Sequence, residues 1–172
     1  FEESLEYNDY QYCLVHLMEE SDQYRDWFLT VNKRFGADVL LDNSIFELGE
    51  SFDPKKYGYW LKKINPNYYI IPDVLEDATG TMDQWYDWEA KYEPKDCKAA
   101  RIGVVQGKTW SDLIECYQFM SREADYIAIS FDYSYYKVTG SGTDKLELWC
   151  SGRQRFIQDL IDKGYWNWSK PH

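Results

Sequence analysis

Five times along this chain of 172 residues a short apolar run is followed by a longer stretch of helical period, and that recurrence limits the fold more than any other feature. The runs "YCLVHL", "DVLLD", "YYIIPD", "ARIGVVQG" and "DYIAISFD" read as strands. After the first, Ser21 is a helix cap and Gly36 a stop, with Tyr24, Trp27, Phe28 and Val31 on one face. After the second, Asp53 can cap, Pro54 suits a first helical turn, and Tyr57, Trp60, Leu61 and Ile64 recur at helical spacing. Met82, Trp85, Tyr86 and Trp88 mark the third helical face, and Trp110, Leu113, Ile114, Tyr117 and Met120 the fourth. The fifth run leads into the irregular "YSYYKVTGSGTDK" and then a helix from about 146 to 163.

Apolar strands alternating with amphipathic helices indicate α/β architecture, with a parallel sheet buried on both faces. The strand ends fall at His16, Asp42, Asp73, Gln106 and Ser130, separated by 26, 31, 33 and 24 residues, the spacing of successive βα units. We therefore expect a single α/β domain over 1–172, with units at about 12–36, 37–66, 67–96, 97–124 and 125–165. Five units fall short of the eight of a complete TIM barrel. The alternatives are an open sheet or, our preferred expectation, an incomplete barrel. The missing strands of such a barrel would come from chain beyond His172 or from a second subunit.

Charge and composition narrow the partners. With 19 basic and 30 acidic residues the net charge is -11, which argues against a broad electrostatic footprint for nucleic acid or an anionic membrane. The four cysteines, at 13, 97, 116 and 150, are too scattered for a zinc motif and read as free thiols of a reducing compartment. No apolar stretch approaches the length of a membrane span, and "FEESLEYNDY" lacks the layout of a secretory signal, so a cytoplasmic location is expected. No cofactor is expected. Aromatic residues make up 19% of the chain, enough for stacking surfaces as well as core.

In parallel α/β folds the ligand site forms at the carboxyl ends of the strands. Here those ends carry His16, Asp42, Asp73, Gln106, Ser130 and Asp132. Caps and loop hydrogen bonds are the competing use for Asp42, Asn43 and Asp73. As a pocket, the set favours a planar heterocycle. An ionised Asp73 only accepts hydrogen bonds, the Gln106 amide can donate to an exocyclic oxygen, and Gly107 allows close backbone approach, a combination that fits a guanine-like edge. Phe46, Tyr69, Phe131 and Tyr133 are placed to stack on such a ring or to pack in the core.

The order of "LLDNSIFELG", "YIIPDVLED", "RIGVVQGKTW" and "DYIAISF" resembles the tRNA-guanine transglycosylase superfamily over about residues 12–135. It is most similar to the shorter, often phage-borne relatives associated with queuosine-type 7-deazaguanine modification of nucleic acid. The most specific element is Val-Gln-Gly one βα unit after a strand-terminal Asp. The resemblance implies a glycosyltransferase that exchanges a guanine or 7-deazaguanine base at a glycosidic bond. It makes Asp42 the catalytic carboxylate, Asp73 the base-recognition acid, and Gln106 with Gly107 the base-binding pair. Asn43, Ser44 and Ser130 complete the candidate base-binding set. The chain departs from the family where Asn43 and Ser44 replace Ser and Gly, where "FDYSYY" replaces a glycine-rich stretch, and in having no CxCxxC motif. A tRNA or DNA acceptor follows from the resemblance, whereas the net charge favours a free base, a nucleotide, or nucleic acid presented by a partner.

Two other classes compete. A metal-dependent hydrolase would use His16, Asp42, Asp73 and Asp132 as ligands, a thin set for zinc with a single histidine. A non-catalytic module would bind a purine or a protein and turn nothing over.

Overall fold

The computed structural model describes residues 1–131 and 134–172; Asp132 and Tyr133, candidates for a ligand and a stacking ring, lie outside the described residues. A 3-10 turn at Glu2–Glu6 precedes β1 (Tyr10–Leu14), α1 (Leu17–Glu20), α2 (Asp22–Phe35), β2 (Asp38–Asp42), α3 (Ile45–Leu48) and α4 (Pro54–Ile64). Then come β3 (Tyr68–Ile70), α5 (Ala78–Lys91), β4 (Ala100–Val105), α6 (Trp110–Glu123), β5 (Tyr126–Ile129), α7 (Ser134–Thr139) and α8 (Lys145–Asp162).

Local chemistry explains these boundaries. The Ser21 hydroxyl accepts from the Tyr24 N–H to start α2, and Gly36, at φ 68°, ends it in the left-handed conformation that glycine tolerates. Asp53 caps α4 through the Lys56 N–H, with Pro54 in its first turn. Thr109 and Asp112 cap α6 reciprocally.

Some expected positions shift. β1 stops at Leu14, so His16 lies beyond it, in helical conformation, immediately before α1. β3 stops at Ile70; Ile71 still donates to the Ile102 carbonyl, but Pro72 has no N–H to continue the ladder, and Asp73 falls in the connection. The segment expected to be irregular after β5 contains α7, anchored by the buried Tyr136. Tyr86, expected on the apolar face of α5, is 54% exposed, while Trp85 and Trp88 are buried. At about 100° per residue Tyr86 points about 160° away from Trp88, outside the arc that Trp85 and Trp88 bury.

The five strands form one parallel sheet in the order β1-β2-β3-β4-β5, and among the described residues the sheet is open. By internal contacts the chain divides into two compact units, Phe1–Pro72 with Gln84–Ile102, and Asp73–Asp83 with Gly103–His172.

In the first unit, β1, β2 and β3 pair in register: Tyr12 faces Leu40, Leu14 faces Asp42, and Leu41 faces Tyr69. Cys13, Val39, Leu41 and Tyr69 are buried on the helical side. There the Tyr57 hydroxyl of α4 donates to the Ile70 carbonyl at 2.7 Å, and the Trp88 indole of α5 donates to the Tyr69 hydroxyl at 3.2 Å. The Tyr69 hydroxyl in turn donates to Glu93, which Arg101 also grips. The opposite face carries Tyr10, Tyr12, Leu14, Leu40, Asp42 and Ile70, all half-buried or exposed. The expected burial on both faces is therefore corrected for this unit. Right-handed connections between strands taken in sequence order place their helices on one side, and in this unit these residues of the other face stay half-buried or exposed.

In the second unit, α6 lies close against β4 and buries Leu113, Cys116, Tyr117, Phe119 and Met120. Burial pushes the Cys116 thiol pKa up to about 12. The C-terminal residues meet β5, where the Ile127 N–H donates to the Pro171 carbonyl at 3.0 Å. Gly103 permits the helix contact, since a Cβ there would stand 2.3 Å from Met120 Sδ and 3.1 Å from Ala124 Cβ. Gly103→Val should therefore lower unfolding stability by about 1–3 kcal/mol, the usual cost of overpacking, in denaturant titration; an unchanged midpoint would show that α6 moves aside freely.

Candidate functional site

The predicted site residues fall into two clusters, one in each unit. Asp42, Asn43 and Ser44 belong to the first; Asp73, Gln106, Gly107 and Ser130 belong to the second.

Asp42 ends β2, and both of its carboxylate oxygens accept a hydrogen bond. The Tyr12 hydroxyl donates to Oδ2 at 2.5 Å and the Ser44 N–H to Oδ1 at 2.5 Å. Ser44 reaches that carboxylate because its backbone is left-handed, at φ 60°, a conformation that favours glycine. The Ser44 hydroxyl accepts from the His16 N–H at 3.3 Å and so ties the end of β1 to the end of β2. His16 Nδ1 is buried and has no hydrogen-bond partner among the described residues.

Burial pushes the Asp42 carboxyl above its ordinary pKa. The Tyr12 and Ser44 hydrogen bonds oppose that rise, Glu47 adds to it, and His16 lessens it. Burial, followed by the Asp42 charge, pushes the Tyr12 phenol up as well.

Asn43 is committed to structure. Its Nδ2 donates to the Ile71 carbonyl at 3.2 Å and its Oδ1 accepts from the Ile45 N–H at 3.0 Å, which fastens the end of β2 to the chain after β3 and starts α3.

In the second cluster Asp73 is 2% exposed and Gln106 fully buried. Gln106 Nε2 donates to Asp73 Oδ2 at 2.6 Å, while its Oε1 accepts from the Glu76 N–H at 2.9 Å. Glu76 is itself left-handed at φ 57°, and its carboxylate accepts from the Ser134 N–H at 2.8 Å and from the Ser134 hydroxyl at 2.5 Å. Those two hydrogen bonds hold the Glu76 carboxyl below its ordinary pKa. The connection after β3 is thus latched to the first residue of α7. Gly107 has a packing reason of its own, because a Cβ there would stand 2.7 Å from Asp112 Cβ and 2.8 Å from the Leu113 backbone nitrogen. The Ser130 hydroxyl lies 3.4 Å from that of Tyr136.

The stacking candidates divide. Tyr69 is a core residue, its ring among Tyr57 and Trp88 and its hydroxyl engaged on Glu93. Phe131 packs edge-on against Trp149 under the Arg153 guanidinium. Phe46 is 61% exposed.

Two residues of these clusters were not expected from the sequence. Tyr12 lies on the same sheet face as Asp42, legible only once the register of β1 on β2 is known. Glu76 carries no motif, and only its contacts reveal it. Among the described residues no group of three or more His, Cys, Asp or Glu is arranged to hold a metal ion, and no helix is long and apolar enough to cross a membrane. Compared with known proteins, the chain matches no family model and no curated protein.

The Asp42 environment has a pH signature. A carboxyl whose folded pKa is raised keeps its proton longer in the native state than in the unfolded chain, so stability falls as pH climbs from the unfolded value, about 3.9, through the folded one. Asp42→Asn keeps both contacts, Oδ1 accepting from Ser44 and Nδ2 donating to the Tyr12 oxygen, and removes this loss. The variant should match wild type at low pH and become the more stable protein as pH rises above about 4. Parallel denaturant titrations across pH check this, and a gap that closes or reverses towards neutral pH would contradict it.

Proposed function

We propose that this chain is a transglycosylase-like enzyme that binds a guanine or 7-deazaguanine base and exchanges it at the glycosidic bond of a nucleotide or nucleic acid. The observation that carries this reading is the Asp73–Gln106 pair, a buried carboxylate and a buried amide hydrogen-bonded to each other at 2.6 Å. Such a pair sets an acceptor-only carboxylate beside an amide N–H donor. A guanine edge presents the complement, two N–H donor groups beside a carbonyl acceptor. Burial makes each mismatch costly, so the pair selects for that edge against a base lacking either feature.

Base exchange also needs a carboxylate to attack or shield the anomeric carbon and a group to move the proton of the departing nitrogen. Asp42 is our candidate for this chemistry: desolvation raises its pKa above the ordinary carboxylate value, and two donors hold its oxygens. The left-handed backbone of Ser44 supports the same assignment, since the resembling family has glycine at that position. Consecutive strand order also supports a (βα) barrel as the fold to which the open sheet belongs. It is the order of a singly wound barrel and contains no reversal of the kind that marks a doubly wound sheet.

Ligand binding and turnover test the reading separately. Guanine or a 7-deazaguanine base should raise the melting temperature; saturation at 100 times the dissociation constant stabilises by about 2.7 kcal/mol. Asp73→Asn, which turns an acceptor into a donor, should remove that shift. A shift that survives the substitution would take base recognition away from Asp73. In exchange assays with labelled guanine and candidate acceptors, Asp42→Asn should cost about 100-fold or more in rate and leave the thermal shift in place. Wild-type rates in that variant would sink the catalytic assignment, and binding without turnover in the wild type would favour a binding module.

A further inference from the structure

We propose that Tyr12 is a positioning residue for Asp42, fixing the plane of the carboxylate together with the Ser44 N–H. The inference rests on the reading of Asp42 as the reacting carboxylate.

Tyr12 lies in β1 opposite Leu40, two residues along from the pair Leu14 and Asp42, so it meets Asp42 diagonally across the strands. That diagonal is within reach of a long aromatic side chain. Tyr12 is 47% exposed, on the less buried face of the unit's strands, so its ring is poorly used as core. Its hydroxyl is nevertheless held at 2.5 Å from Oδ2. A carboxylate with a single donor can rotate about its last torsion, because that torsion is broad and roughly two-fold. With the Ser44 N–H on Oδ1 and the Tyr12 hydroxyl on Oδ2, both ends are held and the rotation stops.

The groups that interact electrostatically with Asp42 are Tyr12 on its own sheet face, Cys13 of β1, His16 before α1, Tyr24 of α2 and Glu47 of α3. Of the side chains among these, Tyr12 is the one that donates a hydrogen bond to the carboxylate and favours its ionised form by contact. Tyr12→Phe removes one oxygen atom, leaves the ring in place, and removes that donor. The ionised carboxylate loses a partner, so Asp42 should titrate at a higher pH.

The test uses the intact chain and two readouts. The first is the carbon-13 carboxyl titration of Asp42, with its signal assigned by its loss in Asp42→Asn. The second is the pH profile of base exchange. Tyr12→Phe should raise the Asp42 midpoint, move the acidic limb of the rate upward by the same amount, and lower kcat about 10-fold with KM for the base unchanged. Introducing 3-fluorotyrosine at position 12, a stronger donor of nearly the same shape, should move midpoint and limb downward, which keeps the test informative if Tyr12→Phe folds poorly. A midpoint indifferent to both changes overturns the proposal. An exchange rate whose acidic limb ignores Tyr12→Phe removes the positioning role and leaves the transglycosylase reading intact. A midpoint that shifts as expected in a protein with no exchange activity upholds the hold on Asp42 and removes that reading instead.

Discussion

Parallel strands laid down in sequence order, each joined to the next by a right-handed connection, have one available place for their helices. They must all lie on the same side, because a right-twisted strand returns to its neighbour only that way. In the first unit this is visible in detail: Cys13, Leu41 and Tyr69 are buried towards the helices, while Tyr10, Tyr12, Leu40 and Asp42 face the other way. The same constraint brings the chain to the carboxyl end of every strand before it enters a helix. Polar residues gather there, because the backbone must turn and its N–H and carbonyl groups need partners. Asn43 meets that need by bonding the Ile71 carbonyl and the Ile45 N–H.

The two clusters handle their carboxylates differently. Asp42 is half-buried and pushed towards protonation, with two donors restraining the shift. Glu76 is held below its ordinary pKa by Ser134, so it stays charged and keeps the connection after β3 latched. Asp73, within that connection, and Gln106 are closed off from solvent, and the Glu76 N–H bonds directly to Gln106. The left-handed backbones of Ser44 and Glu76 are the strained points that aim each segment's N–H at the neighbouring side chain.

Much of this was legible in the linear chain, for reasons that are local. A helix is announced by its own spacing and caps, and Ser21, Gly36, Asp53 and Pro54 mark ends that the structure keeps. Strand ends were less legible. Pro72 cuts the β3 ladder before Asp73, and His16 is already helical, because the last ladder bond depends on the partner strand as well as on the run itself. α7 was hidden because Gly140 and Gly142 follow it closely and suggested loop throughout.

By itself the sequence determined the alternation of strand and helix, the α/β class, and which residues come at the strand tips, since hydrophobic period and turn chemistry act over a few neighbouring residues. Only the tertiary structure decided what those tips touch. Tyr12 bonds to Asp42 across 30 positions of chain, Gln106 to Asp73 across 33, and Ser134 to Glu76 across 58. Such partners are chosen by strand register and by the return path of each connection. A sequence writes neither of these in the residues concerned, and so it could name Asp42, Asp73 and Gln106 but not the hydrogen bonds that orient them.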